Sequence, residues 1–128
     1  DMDSGTPLAL NTWTHVAMVH DGSQDIIYFN GVRVNEKSVS GGLDKTQHPL
    51  GIGWDPIDKG GIFDGAIDDV AIYNRALSDA EISQLYGDQS VETPIAGNLV
   101  ARYAFDNNGT DGTAYNNDAA GYFPGFFP

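Results

Sequence analysis

The chain has 128 residues, 41% of them hydrophobic, so it can bury one core, and its 16 glycines and 6 prolines favour many turns over long helices. Its 18 acidic and 6 basic residues give a net charge of −12, which argues against nucleic acid and anionic membranes as partners. The same charge is compatible with cations, above all Ca²⁺, and with neutral sugars. The chain has no cysteine, and no apolar run approaches the ~20 residues of a membrane span.

The first part of the chain has the pattern of short strands separated by turns. Residues 13–20 alternate as in a strand, with Trp13 expected in the core, and residues 20–23 (HDGS) end that strand. Residues 25–35 predict a hairpin around Asn30-Gly31, a pair typical of two-residue turns.

The predicted turn fixes which side chains of the hairpin share a face. It pairs Phe29 with Val32, Tyr28 with Arg33, and Ile27 with Val34. Phe29, Val32, Ile27 and Val34 then form one apolar face. Tyr28 and Arg33 are expected to be an exposed cross-strand pair on the other face.

The middle of the chain predicts two further strands and a helix. Residues 50–54 indicate a short strand that opens into a Gly/Asp loop. In residues 66–73 each face is mostly apolar and carries one acid, which favours a strand covered on both sides. Residues 78–81 (SDAE) have the spacing of a capping box and predict a short helix near residues 79–86, with Gly87 as its C-cap.

The last part of the chain contains a second strand pattern after a linker. Residues 88–97 have the composition of a linker, and residues 98–106 then alternate, with one apolar face made by Leu99, Ala101, Tyr103 and Phe105. The predicted organisation is therefore a sandwich part at 1–87, a linker at 88–97, and a strand with an aromatic tail at 98–128.

Several of these motifs resemble a known family in their order along the chain. FDGAIDDVAIYNRALSDAEISQLY resembles the closing segment of bacterial laminin G-like domains, of the concanavalin A-like lectin/glucanase superfamily. Trp13-Thr14-His15-Val16-Ala17, Asp21-Gly22 and Ile27-Tyr28-Phe29-Asn30-Gly31 resemble the segment before it. NLVARYAFD, which follows the closing helix, resembles the first strand of such a domain.

This resemblance implies an all-β fold, an antiparallel jelly-roll sandwich of the concanavalin A-like type with one short helix. The chain looks like the back half of one domain followed by the start of another, so we expect the sandwich to be incomplete or completed by a neighbouring chain. A cleaved piece and a permuted order are the alternatives.

Four aspartates are candidate metal ligands: Asp64, Asp68, Asp69 and Asp106. Ca²⁺ takes six to eight oxygen ligands, and clustered carboxylates with Gly-rich loops supply them. The resemblance implies that first and last strands are neighbours, which would bring Asp69 towards Asp106 around a structural Ca²⁺. The alternative is that Asp68 and Asp69 accept hydrogen bonds from loop N–H groups.

Trp54 is the candidate for contact with carbohydrate, because it stands at a predicted strand end where its ring face could stack on a sugar. Asp55 and Tyr28 are added to the same candidate site. The alternative is that Trp54 packs beside the turn.

The positions of the glutamates in the sequence argue against catalysis. Retaining glycosidases need two carboxylates about 5 Å apart, and Glu36, Glu81 and Glu92 lack the close spacing on one strand that the family's glucanases have. We therefore expect a non-catalytic module, and the resemblance implies that it is an extracellular binding or adhesion module that binds carbohydrate or a cell-surface protein.

The alternative function is a structural subunit of an extracellular filament or tandem-repeat adhesin. The strand at 98–106 would then be donated head-to-tail to a neighbouring subunit, since open sheet edges are templates for pairing. The candidate assembly residues are Leu99, Ala101, Tyr103, Phe105, Phe123 and Phe126. Folding of this strand back onto its own chain is the competing possibility.

Overall fold

The computed structural model describes residues 3–42, 50–55, 57, 61–87, 95 and 98–103. In these residues it contains five strands and one helix: β1 (Val16–His20), β2 (Gln24–Phe29), β3 (Val32–Ser38), β4 (Val70–Tyr73), α1 (Asp79–Gly87) and β5 (Leu99–Tyr103). One sheet has the order β1-β2-β3 and is antiparallel, and β4 pairs with β5 in a second sheet. Two sheets with one short helix confirm the predicted all-β class.

The chain divides into two compact units. The first unit comprises Asp1–Leu43 and Tyr73–Leu99, and the second comprises Asp44–Ile72 and Val100–Pro128. These units join segments that are distant in sequence. The division at residues 87 and 98 that the sequence suggests stays a prediction.

The hairpin turn forms as its residue pair predicts. Asn30 and Gly31 have φ values of 51° and 78°, the left-handed conformation that a type I′ turn requires. The predicted pairs of Phe29 with Val32 and of Tyr28 with Arg33 are confirmed. The third pair is wrong: Ile27 lies opposite Asn35, because the register shifts between Ile27 and Tyr28. An extra residue in one strand of a pair, a β-bulge, produces such a shift.

The core of the first unit lies on the sheet face that carries Ile26 and Tyr28, whereas the sequence predicts that Tyr28 is exposed. Ile26 and Tyr28 of β2 are buried together with Val19, and they pack with Leu77 and with Ile82 of α1. The ring of Tyr28 is 1% exposed, so the expectation of an exposed pair with Arg33 is wrong for the tyrosine. Burial is tolerable because the Tyr28 hydroxyl donates a hydrogen bond to Asp79 Oδ1 at 2.6 Å.

Helix α1 begins with the predicted capping box. The Ser78 N–H donates to Glu81 Oε2 at 2.8 Å, and the Glu81 N–H donates to Ser78 Oγ at 3.3 Å. Arg75 holds the same carboxylate through both of its terminal nitrogens, at 2.9 and 2.6 Å. These contacts lower the pKa of Glu81 to about 2, with the hydrogen bonds from Arg75 as the largest cause. The helix ends at Gly87, one residue beyond the predicted end.

Three of the predicted strands differ from the structure. β1 starts at Val16, and Trp13 is 69% exposed instead of lying in the core. Residues 50–54 do not form a strand, because Gly53 has a φ of 76°, which is incompatible with an extended backbone.

The expected strand at residues 66–73 is shorter than predicted. It begins only at Val70, since Asp69 has a left-handed φ of 51°. Asp68, Asp69 and Ala71 are exposed, so the expectation of a strand covered on both sides is also wrong.

Candidate functional site

The candidate site consists of two loops of the second unit, residues 50–55 and 61–65, which we call the loop pair. The N–H of Phe63 donates to the carbonyl of Gly53 at 2.8 Å and so joins the two loops. Gly53 is positioned for this role by its positive φ, and a Cβ there would lie 3.1 Å from Ile67 Cδ1. A larger residue at this position would therefore be both strained and crowded.

Two aromatic side chains of the loop pair face solvent over about half of their surface. Trp54 is 50% exposed and Phe63 is 48% exposed. The Phe63 ring lies against Gly65, where an added Cβ would come within 2.6 Å of Phe63 Cε1. The ring position of Phe63 thus depends on the absence of a side chain at residue 65. The sequence predicts Trp54 as a candidate residue but does not single out Phe63. The glycine at position 65, two residues after Phe63, is the sequence feature that could have indicated it.

The carboxylates near these rings have different environments. Asp55 is partly buried, and its Oδ1 accepts the Ile57 N–H at 2.7 Å, which shapes the loop after Trp54. Asp64 is exposed beside Phe63. The loop pair therefore presents two half-exposed rings with the exposed carboxylate of Asp64 beside Phe63, an arrangement that combines stacking with a hydrogen-bond acceptor.

Two of the aspartates proposed as calcium ligands, Asp68 and Asp69, accept hydrogen bonds within the described residues. Asp68 Oδ1 accepts the N–H of Asp69 at 2.9 Å, and Asp69 Oδ1 accepts a hydrogen bond from Arg102 at 3.4 Å. Within the described ranges, no group of three His, Cys, Asp or Glu side chains is arranged to hold a metal ion. Asp106 lies outside the described residues, so the predicted site at Asp69 and Asp106 stays a prediction.

Tyr28, the third candidate for contact with carbohydrate, is buried in the first unit. Burial, together with the acceptor Asp79, raises the pKa of its hydroxyl. Asp79 Oδ1 also accepts hydrogen bonds from Arg33 Nε at 3.2 Å and Arg33 Nη2 at 2.9 Å. The hydrogen bond from Tyr28, and then those from Arg33, lower the pKa of Asp79. This network ties α1 to the hairpin, and the buried ring is not accessible for stacking.

Two of the glutamates are engaged in contacts that support the fold. Glu36 Oε2 accepts a hydrogen bond from Arg33 Nη1 at 2.8 Å, and Glu81 belongs to the capping box. Glu92 lies outside the described residues.

The candidate assembly residues on β5 are paired within this chain. β5 is hydrogen-bonded to β4, and Ala101 and Tyr103 are buried while Leu99 is partly buried. The predicted alternation of this strand is thus confirmed for these three residues. Phe105, Phe123 and Phe126 lie outside the described residues.

Comparison with known proteins gives one family and one solved structure. Residues 1–83 match the family model of the concanavalin A-like lectin/glucanases superfamily, in its laminin G-like branch. No curated protein matches. The chain is similar to the 2.1 Å crystal structure of residues 221–444 of an S-layer domain-containing protein from Clostridium thermocellum ATCC 27405, with 28% identity and a TM-score of 0.47.

That similarity covers 65% of this chain and 43% of the crystallised one, so the chain spans less than half of that structure's length. The one helix in the described residues falls short of the length and apolarity that a bilayer crossing requires. The family match covers well over half of the 128 residues, and it agrees with the antiparallel strands, the two sheets and the one capped helix of the described residues. The chain therefore belongs to the concanavalin A-like lectin/glucanases superfamily, as a laminin G-like domain that contains part of the sandwich.

Proposed function

We propose that this chain is a non-catalytic, extracellular binding module of the laminin G-like type, and that it binds carbohydrate through Trp54. The observation that carries the proposal is the half-exposed indole ring of Trp54, held on a loop that is fixed by hydrogen bonds at Gly53 and Asp55. An amphipathic ring kept at the surface by its backbone loses little conformational freedom when a ligand covers it.

Two further observations support a binding function over catalysis. Glu36 and Glu81 are held by Arg33 and Arg75 in ion pairs that support the fold. The net charge of −12 favours an uncharged ligand over an anionic one. Family membership supports an extracellular location.

The test uses the fact that the chain contains two tryptophans. In a Trp13→Phe background, Trp54 is the single fluorescent indole, and titration with the sugars that score on a glycan array should change its emission. Trp54→Ala should abolish binding on the array. Trp13→Ala is the matched control, because Trp13 is equally a surface indole but belongs to the first unit.

An array without any glycan hit, or binding that survives Trp54→Ala, would remove the carbohydrate proposal. If a cell-surface protein binds instead, and Trp54→Ala abolishes that binding, the module is an adhesion domain with a protein ligand.

A second candidate function is a structural subunit of an extracellular assembly, and the exposed apolar face of the first sheet supports it. We call this face, made by Val16, Met18, Ile27, Phe29 and Val32, the outer apolar face. The register places Val16 beside Phe29, Phe29 beside Val32, and Met18 beside Ile27. Met18 is 63% exposed and Val32 is 66% exposed. Contiguous apolar surface of this kind is typical of a site that another layer covers.

Deletion of residues 98–128 tests the strand-exchange proposal. If assemblies form through this segment, light scattering and electron microscopy should find them in the full chain and lose them in the truncated one. Assemblies that persist without residues 98–128, or a full chain that stays monomeric at high concentration, would refute strand exchange.

A further inference from the structure

We infer that Phe63, held in place by Gly65, is a second stacking platform beside Trp54, and that the loop pair binds a linear oligosaccharide of neutral sugars across both rings. This inference rests on the proposed carbohydrate-binding function. It adds a second subsite, a minimum ligand length and a charge preference, each of which can fail separately.

The first support is the proximity of the two aromatic residues. The hydrogen bond from Phe63 N–H to the Gly53 carbonyl is 2.8 Å long, and Trp54 directly follows Gly53. Because successive Cα atoms are 3.8 Å apart, the Cα atoms of Trp54 and Phe63 are separated by no more than about 10 Å. Two aromatic residues whose Cα atoms are this close are within reach of one short oligosaccharide, and the proposal is that both rings contact it.

The second support is the fixed and open position of the Phe63 ring. About half of the side chain faces solvent although the ring lies across the backbone of Gly65. An apolar ring that packed only for stability would be expected to bury most of its surface. A glycine under the ring instead supports it from one side and leaves part of it open to a ligand.

The third support is the charge around the rings. Asp64 is exposed beside Phe63, and the sequence from residue 50 to residue 72 contains five aspartates and a single basic residue, Lys59, so that its net charge is −4. Carboxylates accept hydrogen bonds from sugar hydroxyls but repel uronates and sialic acids. The ligand class that fits is therefore an uncharged pyranose chain with apolar ring faces.

The experiment compares binding of cello-, manno- and galacto-oligosaccharides of one to four units, measured by calorimetry. In the wild type we expect affinity to rise from the monosaccharide to the longer members of the series that binds. Phe63→Ala should weaken binding of the longer members roughly five- to tenfold, the size of one aromatic contact, and leave monosaccharide affinity unchanged. Ile62→Ala is the matched control, because Ile62 is an exposed apolar neighbour without a ring.

Two more variants separate stacking from folding. Phe63→Trp keeps an aromatic face and should retain the length dependence. Gly65→Ala keeps Phe63 but pushes its ring aside, so it should weaken binding of the longer oligosaccharides as Phe63→Ala does. Circular dichroism of each variant should match the wild type.

The results that overturn the inference differ from those that overturn the function. If Trp54→Ala abolishes binding while Phe63→Ala and Gly65→Ala bind every oligosaccharide like the wild type, the carbohydrate function stands and the second platform is refuted. Equal affinity for matched acidic oligosaccharides, such as oligouronates, refutes the neutral preference. Wild-type protein that binds none of these sugars and no glycan of the array, or that binds only an apolar peptide at this surface, overturns both proposals.

Discussion

Two adjacent isoleucines on β2 provide a direct test of which sheet face carries the core of the first unit. Ile26 is 3% exposed and packs with Tyr28 and Ile82, whereas Ile27 lies on the outer apolar face and is only partly buried. The same substitution at neighbouring positions, Ile26→Ala and Ile27→Ala, therefore compares the two faces with identical chemistry.

The expected difference in the free energy of unfolding follows from burial. Each change removes three side-chain carbons, and for Ile26 their transfer is worth about 2.4 kcal/mol at about 0.8 kcal/mol per methylene. The cavity left behind raises the cost of Ile26→Ala to about 3–4 kcal/mol. Ile27 borders an open groove of about 630 Å³ lined also by Val16 and Phe29, so its change leaves no closed cavity and should cost only about 1 kcal/mol.

Urea denaturation is the appropriate assay, followed by the fluorescence of Trp13 in a Trp54→Phe background. Trp13 belongs to the same unit as both isoleucines. Ile26→Ala should lower the denaturation midpoint markedly at an unchanged m-value. A cost of Ile27→Ala that equals or exceeds that of Ile26→Ala would refute this assignment and place the core on the face of Ile27 and Phe29. A cost of Ile27→Ala that grows with protein concentration would mean that a second chain covers that face.

Three further predictions concern the helix, the hairpin turn and calcium. Since Arg75 and the capping box hold the pKa of Glu81 near 2, below its ordinary value of 4.5, the stabilisation is present above pH 4.5 and is lost as the pH falls towards 2. Glu81→Gln should flatten stability measured over that range, and an unchanged acid profile would contradict the assignment. Gly31→Ala should lower the melting temperature more than Gly22→Ala. Both glycines have a positive φ, but only a Cβ at Gly31 would contact α1, at 3.3 Å. Equal shifts would contradict close packing of the turn against the helix. Millimolar Ca²⁺ should raise the melting temperature of the wild type but not of Asp69→Asn, and a wild type that neither shifts nor binds Ca²⁺ in calorimetry has no such site.

The features that could be predicted from the sequence depend on residues close together in the chain. Asn30 and Gly31 determine their own backbone conformation, and Ser78 and Glu81 satisfy each other across three residues. Such signals act before any tertiary contact forms, so the hairpin and the start of α1 are visible in the sequence.

The features that were missed depend on distant contacts. Both faces of β2 are apolar, so alternation alone cannot say which face is covered, and the choice depends on Asp79, which is 51 residues away from Tyr28. The role of Gly65 in supporting the Phe63 ring likewise becomes evident only when the position of that ring is known. Of the two aromatic residues in the candidate site, the sequence therefore predicts Trp54 but not Phe63.

The hairpin turn at Asn30-Gly31 also decides where this domain can be cut or extended. Two-residue turns at loop tips are usual places for inserted tags and permuted ends, but here the Gly31 carbonyl accepts Ser83 Oγ at 3.1 Å and the Asn30 N–H donates to the His15 carbonyl at 2.9 Å. The tip is thus clamped between the start of β1 and the helix. At the turn of Asp21 and Gly22, by contrast, the described hydrogen bonds of Asp21 join it to Ser23 and Gln24, and a Cβ at Gly22 would have no neighbour within 4 Å. An epitope tag or a fused partner belongs at that turn, where the domain can carry it without loss of its helix.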